Sequence, residues 1–275
     1  MNGTRTSDTA TDLPALASYP DLAGKTVVIT GGSRGIGART ARAFAAQGAR
    51  VCIVGRDRQA LDAVRAGLTA GGGQDEPRSQ AISVVADVTD SAALESVRAE
   101  VAQRLGPVDV LAAFAGGQGH PTPSPQLTEE RWRQILDSDL TSTFLTIQAF
   151  LPAMLERGRG TILTMASSAG REPSQANLAY ATAKAGLVML TRHLATELGP
   201  HGIRVNCLAP SAIRTEKVAQ QMPAEVARQV AAAHPLGRIG STQDVAQAAL
   251  FLASDAAAWL TGLTIDVAGG RITTH

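Results

Sequence analysis

Residues 25–48 constrain the fold of this chain more than any other stretch. KTVVIT (Lys25–Thr30) is short, apolar and β-branched, the composition of a buried strand. GGSRGIG (Gly31–Gly37) follows at once, and the alanine-rich ARTARAFAAQG beyond it reads as a helix. A strand turning on glycines into a helix brings unpaired N–H groups and the positive end of the helix dipole to one point. Glycine lets a ligand's phosphates come close to the backbone there. The spacing Gly31, Gly35, Gly37 differs from the G-x-G-x-x-G fingerprint, and a plain tight turn is the competing reading.

The same alternation continues along the chain. Strand-like runs stand at Arg50–Asp57, Ala81–Asp87, Val108–Gly117, Gly160–Ser168, Gly202–Pro210 and Leu263–Gly270. Helical stretches lie between them, one running roughly from Glu129 to Leu151 and another, over Thr242–Ser254, capped by Ser241 or Thr242. Apolar residues make up 44% of the 275 positions, but aromatics only 3%, so the interior is built from Ala, Val, Leu and Ile. That suits parallel strands covered by helices. GGGQDEPRS (71–79) reads as a flexible polar connection, and residues 1–20 as a flexible tail with no continuous apolar core. No composition break divides 21–275, which is expected to be one domain. A net charge of +1 gives no reason to expect nucleic acid or an anionic membrane as partner, and no apolar run reaches a membrane span. Cys52 and Cys207 lie in strand-like runs and read as buried thiols of a cytoplasmic protein, not as a disulfide or metal pair.

Three regions carry the chemistry. At the end of the second strand, where a carboxylate would bind a ribose 2′-hydroxyl, stand Gly55 and Arg56, and Arg34 lies inside the glycine turn. Two guanidiniums without a carboxylate favour a 2′-phosphate, hence NADP(H); solvated loop arginines are the alternative. Asp87 ends the third strand, placed either to reach an adenine edge or to cap a turn. Tyr180 and Lys184, four apart on one helical face, make a proton-transfer pair whose ammonium favours the phenolate. Ser167, at the end of the fifth strand, is in loop reach of the same substrate oxygen. His120, in the polar loop Gly117–Gln126, reads as a substrate contact or as solvated.

These motifs, in this order, resemble the short-chain dehydrogenase/reductase family over about residues 22–271. T-G-x-x-x-G-I-G stands as Thr30–Gly37, Y-x-x-x-K as Tyr180–Lys184, the serine position as Ser167, R-V-N-x-x-x-P as Arg204–Pro210, and I-x-T as Ile213–Thr215. The resemblance implies a single-domain, Rossmann-like, doubly wound α/β fold, with about seven parallel strands flanked by helices. It implies a ketoreductase of the 3-oxoacyl acyl-carrier-protein reductase type, assembled as a homotetramer, acting on a small-molecule carbonyl. Cofactor contacts are then expected from Gly31, Ser33, Arg34, Gly35, Ile36, Gly37, Arg56, Asp87, Val88, Ala115, Gly116, Tyr180, Lys184, Pro210, Ile213 and Thr215, with no metal.

The departures from the family pattern are as informative. Ala113-Phe114-Ala115-Gly116 replaces N-N-A-G, and Pro210-Ser211 replaces proline-glycine. Asp139 stands where the family has the asparagine that holds a water beside the catalytic lysine. The expected catalytic group is therefore Ser167, Tyr180, Lys184 and Asp139. Two other readings stay open on sequence: proton chemistry without redox, and a catalytically silent dinucleotide-binding protein.

Overall fold

The computed structural model describes residues 15–69, 80–117 and 119–273. Residues 1–14 of the expected tail and the expected connection 71–79 lie outside these. Ala15–Tyr19 run along the surface, where the backbones of Ala15, Ala17 and Tyr19 bond to the side chains of Gln47 and Gln247.

The strands are β1 (Thr26–Thr30), β2 (Arg50–Gly55), β3 (Ala81–Val85), β4 (Val110–Ala113), β5 (Gly160–Met165), β6 (Ile203–Pro210), the short β7 (Ile213–Arg214) and β8 (Gly240–Ser241), and β9 (Thr264–Val267). The helices are α1 (Gly35–Ala46), α2 (Arg58–Thr69), α3 (Ser91–Arg104), α4 (Glu129–Leu136), α5 (Ser142–Arg157), α6 (Leu178–Leu198), α7 (Glu216–Gln221), α8 (Ala224–Ala232) and α9 (Thr242–Ala253). Seven strands form one parallel sheet in the order β3-β2-β1-β4-β5-β6-β9, and β7 pairs with β8 apart from it.

Side-chain alternation along the strands divides the core in two. Val27 and Ile29 of β1 and Val51 and Ile53 of β2 pack with α1, α2 and α9. Val28, Cys52 and Val54 face the opposite layer, built from α3, α5 and α6. With helices on both faces, β1 and β4 are buried at every residue, which is why their sequences are continuous apolar runs. Cys52 and Cys207 are free and buried, and burial pushes both thiols above their ordinary range. Ser241 caps α9 through a capping box with Asp244.

Two features of this fold position a site. Strand order reverses between β1 and β4, so a crevice opens at their carboxyl ends, where doubly wound sheets bind ligands. The expected single helix from Glu129 is instead interrupted. After α4 the chain makes a π-helical turn over Asp137–Thr141 before α5 continues to Arg157. The wider turn carries the buried Asp139 at its middle.

Candidate active site

The glycine turn between β1 and α1 is shaped for close approach. Gly31 (φ +69) passes so near the β4 end that a Cβ there would lie 3.0 Å from the Phe114 carbonyl oxygen. A Cβ on Gly37 would lie 2.2 Å from the Gly31 carbonyl oxygen. Arg34 occupies the N-cap position of α1 without a side-chain cap, so the first N–H groups of the helix stay available. Gly35, Ile36 and Gly37 at that helix start line a cavity of about 880 Å³, together with Gly31, Arg34 and Gly116. The cavity continues past Ser167, Tyr180 and Lys184 to Pro210, Ile213 and Thr215. A cradle of backbone N–H groups at one end and a phenol beside an ammonium at the other fits a nicotinamide dinucleotide. Its pyrophosphate would rest on the start of α1.

Tyr180 and Lys184 are fixed by their surroundings. Asn177 caps α6, its Oδ1 accepting the Tyr180 N–H at 2.9 Å, while its Nδ2 donates to the His120 carbonyl at 2.9 Å and ties the overlying loop to the helix. Gly119 in that loop lies against the Tyr180 ring, where a Cβ would come within 3.1 Å. Gly170 packs so closely on α6 that a Cβ would lie 2.4 Å from the Lys184 carbonyl carbon. Lys184 is buried; its Nζ donates to the Met165 carbonyl at 3.0 Å and lies 5.4 Å from the centre of the Tyr180 ring. Ser167 Oγ accepts the Ala169 N–H at 3.2 Å, leaving its own proton free to donate.

Asp139 is joined to this group directly. Its Oδ1 lies 3.2 Å from Lys184 Nζ and accepts the Gly117 N–H at 2.6 Å, and its Oδ2 accepts from Ser138 Oγ at 2.7 Å. The carboxylate is fully buried, with three donors around it, as a buried charge requires. Gly116 (φ +129) makes room for it, since a Cβ there would sit 2.6 Å from Asp139 Oδ1.

Other expected contacts stand apart from the cavity wall. Ser33, Arg56, Asp87, Val88 and Ala115 do not line it. Arg34 is not opposed to an empty strand end, as its sequence context suggests: it forms an ion pair with Asp57, and Arg56 lies 3.8 Å from Asp87. Asp87 Oδ1 accepts from the Thr89 N–H and hydroxyl, which hold its carboxyl below the ordinary range, so it caps the turn after β3. Ala115 N–H, with that of Phe114, donates to Thr30 Oγ1 at the junction of β1 and β4. His120 is exposed and contributes its carbonyl. Phe114, which stands among the departures from the family pattern, lines the wall, as do Glu216, Lys217 and Val218 of α7, whereas Met165 carries no sequence signal of its own.

Comparison with known proteins bears on this geometry. A family model described as Enoyl-(Acyl carrier protein) reductase matches residues 31–271. The 2,5-dichloro-2,5-cyclohexadiene-1,4-diol dehydrogenase LinX of Sphingobium indicum is 33% identical over 249 residues, covering 90% of this chain and 96% of that protein. The 3-oxoacyl-(acyl-carrier-protein) reductase FabG of Escherichia coli is 34% identical over 247 residues, covering 90% and 97%. Among solved structures, a 7α-hydroxysteroid dehydrogenase complexed with NADH and 7-oxo glycochenodeoxycholic acid superposes with a TM-score of 0.85 at 34% identity, covering 92% and 96%. The chain belongs to the short-chain dehydrogenase/reductase family. As a short-chain dehydrogenase/reductase it is an oxidoreductase of alcohol and carbonyl substrates that uses a nicotinamide dinucleotide. No helix among the described residues is long and apolar enough to cross a membrane.

Proposed function

We propose that the protein interconverts a ketone and an alcohol with NADP(H), using Tyr180 as the proton donor and acceptor. The observation that carries this is the shared cavity: Tyr180, Ser167 and Lys184 open onto the space bounded at its other end by the uncapped start of α1. The cofactor, when bound, supplies or takes up the hydride at the reacting carbon. Tyr180 gives its hydroxyl proton to the carbonyl oxygen in reduction, and takes the alcohol proton in oxidation. Ser167 donates its free hydroxyl proton to the same oxygen as negative charge develops there. Lys184, anchored at Met165 and Asp139, holds positive charge beside the phenol, where it stabilises the negative charge that develops as the proton is transferred. Asp139 is a positioning residue: it fixes Lys184 and the Gly117 backbone to one point.

The preference for NADP(H) rests on Arg34 and Arg56, both exposed near the open end of β2, where Gly55 stands in place of a carboxylate. Asp57, paired with Arg34, is the competing feature. FabG, named for 3-oxoacyl substrates, supports β-ketoacyl thioesters as the first compounds to assay, and secondary-metabolite ketones are the second class to test. The same reading takes the chain as a cytoplasmic homotetramer joined through α5 and α6, whose Phe144, Leu155 and Met189 are exposed; light scattering on the purified protein tests that assembly. The decisive experiment on the chemistry is Tyr180→Phe. It removes one hydroxyl, and turnover is expected to fall by at least about a hundredfold with NADPH binding retained. Near-wild-type turnover in that variant sinks the assignment.

A further inference from the structure

Outside the proton-transfer group, one other pair of side chains joins the cavity to a buried titratable residue. Ser211 follows β6 and lines the cavity. Its backbone is fixed by an N–H bond to the Val267 carbonyl at 3.2 Å. Behind it lies His234, 4% exposed, just past the end of α8. His234 Nδ1 is 2.7 Å from the Val230 carbonyl oxygen, and Nε2 is 3.0 Å from Ser211 Oγ. Gly269 closes over the ring, where a Cβ would lie 3.7 Å from Cδ2.

The polarity of this pair follows from its partners. A carbonyl oxygen only accepts, so Nδ1 carries the ring proton. In the neutral imidazole Nε2 is then the acceptor, and the Ser211 hydroxyl donates to it. With its proton held by the ring, Ser211 Oγ is left as an acceptor on a residue of the cavity wall. Ser167 is the opposite case: its oxygen accepts from Ala169 N–H and its proton stays free. One serine of the cavity therefore offers a donor and the other an acceptor. A carbonyl oxygen matches the donor site, while the acceptor site at Ser211 matches a hydroxyl or amine.

We propose that Ser211, polarised by His234, is a specificity-determining residue that selects carbonyl substrates bearing a second hydrogen-bond donor, a hydroxyl or an amine, near the reacting carbon. His234 acts as a positioning residue through Ser211. The inference rests on the reading of this cavity as the carbonyl-binding site, and it deepens that reading.

The test uses the full chain with NADPH or NADH and three sets of probes: cyclohexanone, its 2-, 3- and 4-hydroxy derivatives, and the corresponding methyl ethers. In the wild type, at least one hydroxyketone is expected to exceed both cyclohexanone and its own ether in kcat/KM by about tenfold, the worth of one good hydrogen bond. Ser211→Ala should bring that ratio to about one, and Ser211→Thr, which keeps a hydroxyl, should preserve it. His234→Phe frees the Ser211 proton, so discrimination against the ether should collapse while the hydroxyketone still exceeds cyclohexanone. A wild type without hydroxyl preference, or a Ser211→Ala variant that retains it, overturns the proposal. A second measurement is independent of turnover. In long-range 1H–15N spectra of histidine-labelled protein, His234, assigned by its loss in His234→Phe, should be the Nδ1–H tautomer and shift in Ser211→Ala. An Nε2–H tautomer overturns the proposal even if hydroxyketones are good substrates. If the protein reduces no ketone at all, the redox reading fails, and the spectrum still decides the polarity of Ser211.

Discussion

Replacing Asp139 isolates the buried ion pair at the centre of the site. The side chains of Asp139 and Lys184 are 0% and 3% exposed, so neither charge can fall back on water. Asp139→Ala leaves the Lys184 ammonium with the Met165 carbonyl alone and strips the Gly117 N–H of its acceptor. Breaking one side of a buried pair costs about 3–5 kcal/mol, against roughly 0–1 kcal/mol for an exposed pair. Asp139→Asn behaves differently. Its amide oxygen still accepts from Gly117 and Lys184, and its NH₂ faces Ser138 Oγ, which can accept as well as donate. That variant should cost about 1 kcal/mol. At roughly 2–4 °C per kcal/mol for a chain of this size, the thermal midpoint should fall by about 6–20 °C in the alanine variant and about 2–4 °C in the asparagine one. Circular dichroism melts at matched protein concentration, checked by urea midpoints, read this directly. The reasoning is refuted if the alanine variant lies within about 1 kcal/mol of wild type, or if asparagine costs as much as alanine. A kinetic readout accompanies it: Asp139 touches Lys184, which lies beside the Tyr180 ring, so the pH profile of alcohol oxidation by Asp139→Asn should differ from that of wild type, and an unchanged profile would show that the carboxylate is uncoupled from the proton path.

Gly116→Ala should fail on two counts, its φ of +129 and the 2.6 Å approach of the new Cβ to Asp139 Oδ1. The backbone strain alone is worth roughly 1–3 kcal/mol, so a melting temperature equal to wild type would contradict the packing. Arg34→Ala should raise the KM for NADPH by about 10–100-fold, the worth of charge-assisted bonds to a phosphate, and that for NADH far less; equal effects on the two cofactors would remove the basis for NADP(H) preference. Asp244 reports on acid stability. The Arg238 guanidinium, with the Ser241 N–H and hydroxyl, holds its carboxyl down at about 2 from an ordinary 3.8. A lowered folded-state value stabilises above the ordinary one and is lost as pH falls through the folded one. Asp244→Ala should thus cost about 1–2 kcal/mol at pH 7 through the lost cap. The gap in urea midpoint between wild type and variant should close between pH 3.8 and about 2, and a constant gap would refute the linkage.

Much of the molecule is legible in the sequence alone. The run Lys25–Gly37 announces a strand, a glycine turn and a helix because periodicity, β-branching and glycine act locally, within a few residues. Strand count and parallel arrangement follow from the same local signals, since apolar runs joined through helices leave few other arrangements. Tyr180 and Lys184 are candidates from spacing, because a helix fixes how residues four apart share a face, and Ser167 joins them through the resemblance; the fold brings all three to one cavity. What the sequence could not supply was what comes together across the chain. The Asp57 carboxylate follows Arg56 in plain view, but only the meeting of β2 with the glycine turn pairs it with Arg34. The π turn at Asp137–Thr141 leaves no periodic mark, because one wider turn is shorter than the apolar repeat of an amphipathic helix. The sequence shows a carboxylate at Asp139 where an asparagine is usual; tertiary packing put it in direct contact with Lys184 and Gly117. In the same way Ser211 and His234, 23 residues apart, become a hydrogen-bonded pair only when the segment through α7 and α8 folds back over the end of β6. Local chemistry is written along the chain, whereas the partner of a buried charge or hydroxyl is decided where distant segments meet.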